Sequence, residues 1–201
     1  MWAAKEEFEA HGWAATTMRS IAMRAGVSPK TVEALFATKP ALLEATLVVA
    51  FGGDAANHVD GDLAILRPEA VLEMRGEAAR EMENAPDAAT MMELSSALAR
   101  EINSRAAQIC WAVETAVTSD ERLAELWARL IAAQRYGLHW TAEVLLQKPG
   151  VRADLTVPEA EEAILAALDW NMYRTLTMKV GLTPEGVHAW TMRYFRRMLL
   201  A

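Results

Sequence analysis

The sequence predicts an all-α protein, and three observations support this fold class. Apolar residues recur at helical spacing along most of the 201-residue chain, and no stretch alternates as a half-buried strand would. Glycine and proline interrupt this pattern at intervals, as at Gly12, Pro68 and Gly181. The composition, 53% hydrophobic and 23% charged, is typical of a packed globular protein. We therefore expect about nine or ten helices, divided between an N-terminal domain over residues 1–51 and a larger helical domain over residues 52–201.

Three short helices are predicted at the N-terminal end. The first covers about residues 2–10. The second follows Thr17 and the third follows Ser28, because a hydroxyl at either position can accept a backbone N–H that the helix start leaves unpaired. Gly26 ends the second helix, where glycine adopts a left-handed conformation at no steric cost. Pro29 lies at the first position of the third helix, where its missing N–H is harmless.

The small and apolar residues of these helices predict a three-helix core. Ala22 lies four residues before Gly26, where two helix axes would cross closely and a bulky side chain would separate them. The rest of the expected core is Ile21, Ala25, Val27, Val32, Leu35 and Phe36. Two short helices joined by a glycine turn form the helix-turn-helix pattern, whose second helix enters the major groove of DNA. A generic helical hairpin with a glycine turn is the alternative interpretation.

The remainder of the chain predicts longer helices joined by short loops. A fourth helix opens at residues 38–40 and ends at about Phe51, and the polar residues 54–62 mark its end or a bend. The later helices are expected over about residues 68–84, 87–118, 120–147, 158–180 and 184–200. A break near residues 94–96 in the second of these is left open.

The pattern between Phe8 and Leu47 resembles the TetR family of bacterial regulators. It reads F-x-x-x-G, then T-T-x-R-x-I-A-x-x-A-G-V-S, then T-V, then F-x-x-K-x-x-L-L. Residues 150–160 and 181–185 resemble, more loosely, the segments before the eighth and ninth helices of many members. The resemblance implies a homodimer with an N-terminal DNA-reading domain. It also implies a C-terminal helical domain that holds a small-molecule pocket and the dimer interface, and a ligand that usually releases DNA.

Seven residues are the predicted DNA contacts: Thr17, Arg19, Ser28, Pro29, Lys30, Thr31 and Lys39. Thr17, Arg19, Lys30 and Lys39 are expected to touch the phosphate backbone. Ser28 to Thr31 lie where base edges or phosphates would be reached. We expect double-stranded operator DNA as the partner and, from the family, repression that the ligand relieves.

The charge distribution gives weak support for DNA binding. The chain carries a net charge of −7, while residues 1–51 contain five Lys or Arg and five Glu, which sum to zero. The acidic excess therefore lies in the remaining residues. Because phosphate contacts supply much of DNA affinity, this balance predicts modest binding.

Two positions in the third helix, and the chain start, depart from the family pattern. Glu33 replaces an aromatic residue, commonly Tyr, that usually touches a phosphate, and Leu35 replaces a common His. A carboxylate at position 33 would repel phosphate, accept a hydrogen bond from a cytosine N4, or remain solvated. The basic tail that usually precedes the first helix is missing, so either translation begins upstream or the protein makes fewer backbone contacts. The alternative function is a TetR-like small-molecule-binding protein with weakened or lost DNA binding.

The C-terminal region supplies candidates for a ligand pocket and a dimer interface. Its tryptophans and methionines fit a small, mainly apolar and aromatic inducer, although core and dimer packing explain them as well. Polar residues on apolar helix stripes need a partner or a ligand. The predicted pocket walls are Trp111, Trp127, Gln134 and Asn171. The last two helices are apolar on more than one face, and Leu168, Met172, Trp190 and Tyr194 are the predicted interface residues.

Other classes of function lack a motif. Glu185 and His188 form one Glu-x-x-His pair, but a paired-metal bundle needs two, so we expect no metal, no cofactor and no enzyme activity. The single Cys110 cannot form an internal disulfide, which fits a reducing cytoplasm. The N-terminus lacks the pattern of a signal peptide, and no uncharged apolar run is long enough to predict a membrane span.

Overall fold

The all-α fold class is confirmed by the computed structural model, which describes residues 1–52, 68 and 70–201, with the side chain of residue 74 excepted. Ten α-helices are present in these residues: α1 Trp2–Ala15, α2 Met18–Arg24, α3 Pro29–Leu35, α4 Lys39–Gly52, α5 Ala70–Asn84, α6 Ala88–Ala116, α7 Glu121–Leu146, α8 Val157–Leu168, α9 Trp170–Arg174 and α10 Pro184–Met198. A π-helical turn, Thr175–Lys179, continues α9. The predicted polar bend at residues 54–62 lies outside the described residues.

The predicted starts of α2 and α3 are confirmed in detail. Thr17 Oγ1 accepts a hydrogen bond from the Ser20 N–H, and Ser20 Oγ accepts one from the Thr17 N–H, each at 3.0 Å. Ser28 Oγ accepts from the Thr31 N–H at 3.2 Å. Gly26 has a φ of 68°, which is the left-handed conformation that the turn was expected to need. Local sequence therefore fixes where each of these two helices begins.

The described residues form two compact units. The first contains residues 1–52 and 105–131, and the second contains residues 68–104 and 132–201. Helices α6 and α7 each contribute one part to either unit. Residues 105–131 thus cluster with the N-terminal helices, while the predicted division at residue 51 between a DNA-reading and a regulatory domain stays a prediction.

The core of the first unit is apolar and tightly closed. Its fully buried side chains include Phe8, Ala22, Leu42, Leu43, Leu47, Ile109, Cys110 and Leu123. In α1 the backbone leaves helical geometry at Gly12, where φ is 69°. A Cβ added at Gly12 would lie 3.2 Å from Cζ3 of Trp111, so the glycine lets α1 approach that ring.

The expected helix-turn-helix core was wrong at three positions. Ala25, Val27 and Leu35 are exposed, and Leu35 has 61% of its surface accessible. Only one stripe of the seven-residue helix α3 can pack on α2, and Val32 occupies it with 6% exposure. Leu35 is the last residue of α3, and no described residue buries it.

The core of the second unit is rich in methionine and alanine. Its buried members include Met82, Met91, Met92, Ala142, Leu145, Ile164, Met192 and Phe195. These residues come from α5, α6, α7, α8 and α10. Unbranched methionine side chains fill irregular gaps between helices, so part of the methionine supply serves packing.

One predicted helix is divided in the structure, and the break left open in another is absent. The helix expected over 158–180 is wrong, because Asp169 adopts an extended conformation (φ −61°, ψ 141°) between α8 and α9. Its carboxylate accepts a hydrogen bond from the Asn171 N–H at 2.7 Å, so Asp169 caps a new helix rather than continuing the old one. Helix α6 runs without the break considered near residues 94–96.

Over the described residues, no single helix is long and apolar enough to span a bilayer. Helices α3 and α4 reach that length and hydropathy only when they are taken together, and this pair is bent by 72°.

Candidate nucleic-acid interface

The start of α3 presents polar groups to solvent. Of the seven predicted DNA contacts, all except Lys39 are exposed, and Lys39 is half-buried. Ser28 Oγ lies 2.9 Å from Thr31 Oγ1, so the two hydroxyls hold each other at the first turn. Pro29 and Lys30 occupy the same turn. A helix N-terminus that carries exposed hydroxyls and a cation is suited to contact phosphates or base edges in a major groove.

Thr17 retains a hydrogen-bond donor despite its capping role. Its hydroxyl oxygen accepts from the Ser20 N–H, while a hydroxyl still has one O–H to donate. A phosphate oxygen could accept that hydrogen bond without breaking the cap. The predicted contact of Thr17 with the DNA backbone is therefore chemically compatible with its place in the fold.

Two of the five cations in residues 1–51 are held by carboxylates. Lys5 pairs with Glu9, and Arg24 Nε donates to Glu7 Oε1 at 2.5 Å while its Nη1 lies 3.3 Å from Glu6 Oε2. The Arg24 hydrogen bond holds the pKa of Glu7 below its usual value, and that of Arg24 is raised by the same bond. Because Glu7 is buried, Arg24 serves to join α1 to α2.

The side chain of Lys39 packs against α1 within the first unit. Its Nζ donates to the Trp13 carbonyl oxygen and lies 4.0 Å from the centroid of the Trp13 ring. Burial lowers the pKa of this amine. No ion pair involves Arg19 or Lys30 in the described part of the chain, so these two exposed cations form the positive footprint beside α3.

The surface near the recognition helix also carries apolar side chains whose exposure the sequence did not predict. Met23 is 79% exposed, Leu35 61% and Val27 43%. Their helical spacing resembled that of core residues, so the sequence held no signal against burial. Glu33 is exposed on α3, as the repelling, base-reading and solvated interpretations all require.

Residues 1–46 match the family model described as bacterial regulatory proteins, tetR family. This match assigns the N-terminal helix-turn-helix domain to the TetR family. Such a domain indicates a DNA-binding transcriptional regulator, and the family implies a small-molecule ligand.

Solved structures agree with the family at the level of the fold. The chain is similar to a transcriptional regulator from Rhodococcus sp. Rha1, with 19% identity, a TM-score of 0.62 and coverage of 98% of this chain and 92% of that one. It is also similar to a putative TetR-family transcriptional regulator from Mesorhizobium loti, with 17% identity, a TM-score of 0.58 and coverage of 100% and 94%. No curated protein matches the sequence.

The four predicted pocket walls are divided between the two units. Trp111 and Trp127 are half-buried in the first unit, and Gln134 and Asn171 belong to the second. Gln134 Nε2 donates to Asp169 Oδ2 at 3.2 Å, and the Asn171 N–H donates to Oδ1 of the same carboxylate. Asp169 is thus the polar partner that Gln134 was expected to need on its apolar stripe.

A cleft in the first unit has a different character from the predicted apolar pocket. It has a volume of about 300 Å³ and is lined by Glu44, Arg122, Glu125, Leu126 and Arg129. Glu44 is buried and accepts a hydrogen bond from Arg122 Nε. Four of these five residues are charged, so this cleft suits polar groups and does not test the prediction of an apolar ligand.

The predicted interface residues lie at the surface of the second core. Leu168, Trp190 and Tyr194 are partly buried against that core, and Met172 is half-buried. The rings of Trp190 and Tyr194 stack with centroids 5.6 Å apart and planes 12° apart. Helices α8 and α10 also expose Leu165 and Met198, each at 39%.

The lone Glu-x-x-His pair does not converge. Glu185 accepts from Arg100 Nη1 at 3.3 Å, whereas His188 lies between Ser96 Oγ (2.8 Å) and Glu93 Oε1 (2.6 Å). Within the described residues, no three His, Cys, Asp or Glu side chains are placed to hold a metal ion. His188 therefore joins α10 to α6.

Sequence analysis did not single out Arg75, which donates hydrogen bonds to two residues of α7 and lies beside a third. Its Nη1 donates to the Gly137 carbonyl oxygen at 3.3 Å and to Thr141 Oγ1 at 3.0 Å. Its guanidinium carbon lies 5.6 Å from the centroid of the Trp140 ring. Desolvation by burial lowers the pKa of Arg75 to about 10. The local sequence does not indicate this burial, because Arg75 lies between two glutamates in a stretch that is rich in charged residues.

Proposed function

We propose that this TetR-family regulator represses transcription as a homodimer bound to a palindromic operator, and that a small apolar or aromatic molecule releases it. The observation that carries the DNA-binding part is the exposed first turn of α3, which contains Lys30, together with Arg19 of α2; neither cation forms an ion pair with a described residue. We expect the dimer, the repressor role and the chemistry of the ligand from the family and from the residues discussed below. In a dimer, the two recognition helices would lie about 34–36 Å apart, or a multiple of that, to read successive major grooves.

The salt dependence of operator binding tests the DNA contacts. Each phosphate contact that a cation makes adds roughly one to the slope of log affinity against log salt. Lys30→Ala should lower that slope by about one and weaken binding at all sequences. Arg80→Ala, which removes an exposed charge from α5, is the matched control and should leave the slope unchanged.

Lys39→Ala gives a separate answer, because Lys39 is half-buried against Trp13. If Lys39 leaves the Trp13 carbonyl to reach a phosphate, the slope should fall by about one, as for Lys30. An unchanged slope would remove Lys39 from the contacts and leave it a residue that joins α4 to α1.

Glu33 distinguishes a weak DNA binder from a base-reading one. If the carboxylate only repels phosphate, Glu33→Gln should strengthen binding to every sequence. If it accepts a hydrogen bond from cytosine, the same change should cost about 1–3 kcal/mol at one base pair. Equal affinity for all DNA sequences in the wild type, measured by gel shift on its own upstream DNA, would favour the alternative of a ligand-binding relative without an operator.

The dimer proposal rests on the apolar surface of α8 and α10. Stable homodimer interfaces bury roughly 2,000 Å² or more and are apolar at their centre. Leu165→Asp should yield soluble monomers by sedimentation, since Leu165 is exposed within one chain and its replacement need not disturb the core. Leu35→Asp is the control, because it places the same charge at an exposed leucine of the first unit. A soluble Leu165→Asp dimer would place the interface elsewhere.

Induction requires that the ligand favour the arrangement that cannot bind DNA. A coupling free energy of about 1–3 kcal/mol would change operator affinity roughly 5- to 150-fold, and a ligand with equal affinity for both arrangements would shift nothing. Tryptophan fluorescence against aromatic and acyl-chain compounds, followed by operator release, measures both steps. Hits unaffected by Trp127→Ala and by Gln134→Ala would show that the predicted walls are misplaced.

A further inference from the structure

We propose that Arg75 anchors a carboxylate of the regulatory ligand, so that the ligand is an apolar or aromatic acid. This inference rests on the proposed induction by a small molecule and assigns the chemistry of its polar end. The binding group is the guanidinium of Arg75 on α5, held against Gly137, Trp140 and Thr141 of α7.

The contact between α5 and α7 holds Arg75 in one position. Val71 and Arg75, one helical turn apart, face Gly137. A Cβ added there would lie 3.1 Å from Val71 Cγ1 and only 2.6 Å from Arg75 Nη2. Any larger residue at position 137 would therefore displace the guanidinium. Thr141 is buried and also donates to the Gly137 carbonyl oxygen at 2.7 Å, which fixes the two acceptors that Arg75 uses.

The charge of Arg75 has only neutral partners in the described part of the chain. Both of its hydrogen bonds there end on uncharged oxygens, those of Gly137 and Thr141. A partly desolvated cation without an anion is costly, because it loses part of its hydration and no carboxylate replaces that loss. Its lowered pKa reflects the same desolvation. The protein thus holds a cation ready for an anion that the described residues do not supply.

The geometry of the guanidinium indicates the form of that anion. Nη1 is used by the protein, whereas no described residue accepts a hydrogen bond from Nε or Nη2. Nε and Nη2 form one edge of the planar fork and can donate two parallel hydrogen bonds to a single carboxylate. The Trp140 ring centroid lies 5.6 Å from the guanidinium carbon, and Val71 faces Gly137 beside Arg75, so the atoms next to the carboxylate would meet an aromatic ring and an aliphatic side chain.

Isothermal titration calorimetry with matched acids and amides tests the assignment. Suitable pairs are phenylacetate with phenylacetamide, cinnamate with cinnamamide, and decanoate with decanamide, since each pair differs mainly in charge. At least one acid should bind the wild-type protein more tightly than its amide. Arg75→Gln should weaken that acid roughly 10- to 100-fold, the range for a lost charge-assisted hydrogen-bonded pair, and should leave its amide within about threefold.

Two further variants separate the position of the charge from its presence. Gly137→Ala keeps Arg75 but moves its guanidinium, which is the flexible end of a long side chain, so the fold should survive and acid binding should weaken. Arg80→Gln removes an exposed charge from the same helix and should bind the acid as the wild type does. Equal losses in Arg75→Gln and Arg80→Gln would show a general charge effect and overturn the assignment.

The outcomes distinguish this inference from the proposed function. If acids bind through Arg75 but leave operator affinity unchanged, the site stands and induction by it fails. If neutral apolar compounds release the operator and no acid outbinds its amide, induction stands and the carboxylate assignment is wrong. If Arg75→Gln lowers the melting temperature of the ligand-free protein and no acid binds, Arg75 is instead neutralised by the chain itself, and the assignment is again wrong.

Discussion

Arg24 and Arg75 show two ways in which one side chain is built into the same protein. In the first unit, Arg24 is half-exposed and bonded to the buried carboxylate of Glu7, and its pKa is raised. In the second unit, Arg75 is bonded to a carbonyl and a hydroxyl, and burial lowers its pKa to about 10. The first arginine compensates a buried anion, whereas no described residue supplies an anion to the second.

This difference distinguishes an arginine that stabilises the fold from an arginine that is available to bind a ligand. Removing one partner of a buried ion pair leaves the other charge without compensation and is strongly destabilising. Removing a cation that has no anion relieves a desolvation cost instead. Opposite signs of stability change are therefore expected from the same substitution in the two units.

The largest effect is expected for Arg24→Met. Glu7 would stay buried, at 6% exposure, without its cation, and the melting temperature should fall by roughly 5 °C or more. Differential scanning calorimetry at neutral pH measures this. Adding Glu7→Gln to the same chain should recover part of the loss, because no buried charge then remains. A melting temperature unchanged by Arg24→Met would break the contrast with Arg75.

The loss in Arg24→Met should also depend on pH. The folded-state pKa of Glu7 is lowered by Arg24, so the stabilisation is present above the unfolded value of about 4.3 and is lost as pH falls through the lower folded value. The difference between wild type and Arg24→Met should therefore shrink in acid. A difference that stays constant from pH 7 to about pH 3 would show that packing, not charge, joins α1 to α2.

A smaller effect of opposite sign is expected for Arg75→Met. Methionine has similar length and no charge, so the ligand-free protein should melt roughly 2–4 °C higher, the equivalent of about 1 kcal/mol for a chain of this size. Because the pKa of Arg75 is lowered but stays near 10, its destabilising charge is fully present at pH 7 and would be relieved only as pH rises past that value. A lower melting temperature would instead make Arg75 a structural residue like Arg24.

The smallest effect is expected for Lys39→Met, which lies between these two cases. Lys39 donates to a neutral carbonyl oxygen, as Arg75 does, but it is only partly buried and rests on the Trp13 ring. Methionine can keep the contact with the ring, so the melting temperature should change by no more than about 2 °C. A large loss would show that the Lys39–Trp13 contact determines how α4 joins α1.

The sequence predicted features that depend on neighbouring residues better than those that depend on distant ones. Ser28 and Gly26 act on the backbone within four residues, so the turn between α2 and α3 could be deduced. Leu35 has the spacing of a core residue, but it is the last residue of α3 and no described residue buries it. Asp169 interrupts a continuous apolar pattern by capping α9. A single aspartate in the sequence does not indicate that one helix ends and another begins there.

The candidate sites show the same division. The polar residues at the start of α3 were identifiable because their helix pattern also defines the surface. Arg75 was not, because its role depends on Gly137 and Thr141, which are more than 60 positions away. A glycine inside a helix and an arginine on another helix carry no sequence signal that they belong together.

Cys110 has a practical consequence for measuring the distance between two recognition helices. It is the single cysteine of the chain and is wholly buried, so a thiol-reactive spin label should not modify the folded protein. Glu33→Cys would then place the one reactive thiol on the exposed face of α3. In a symmetric dimer, each protomer would carry one label, and a pair separation near 34–36 Å or a multiple of it is the distance that major-groove reading requires. Because Cys110 is buried inside the first unit, no natural thiol competes with the introduced one for the label.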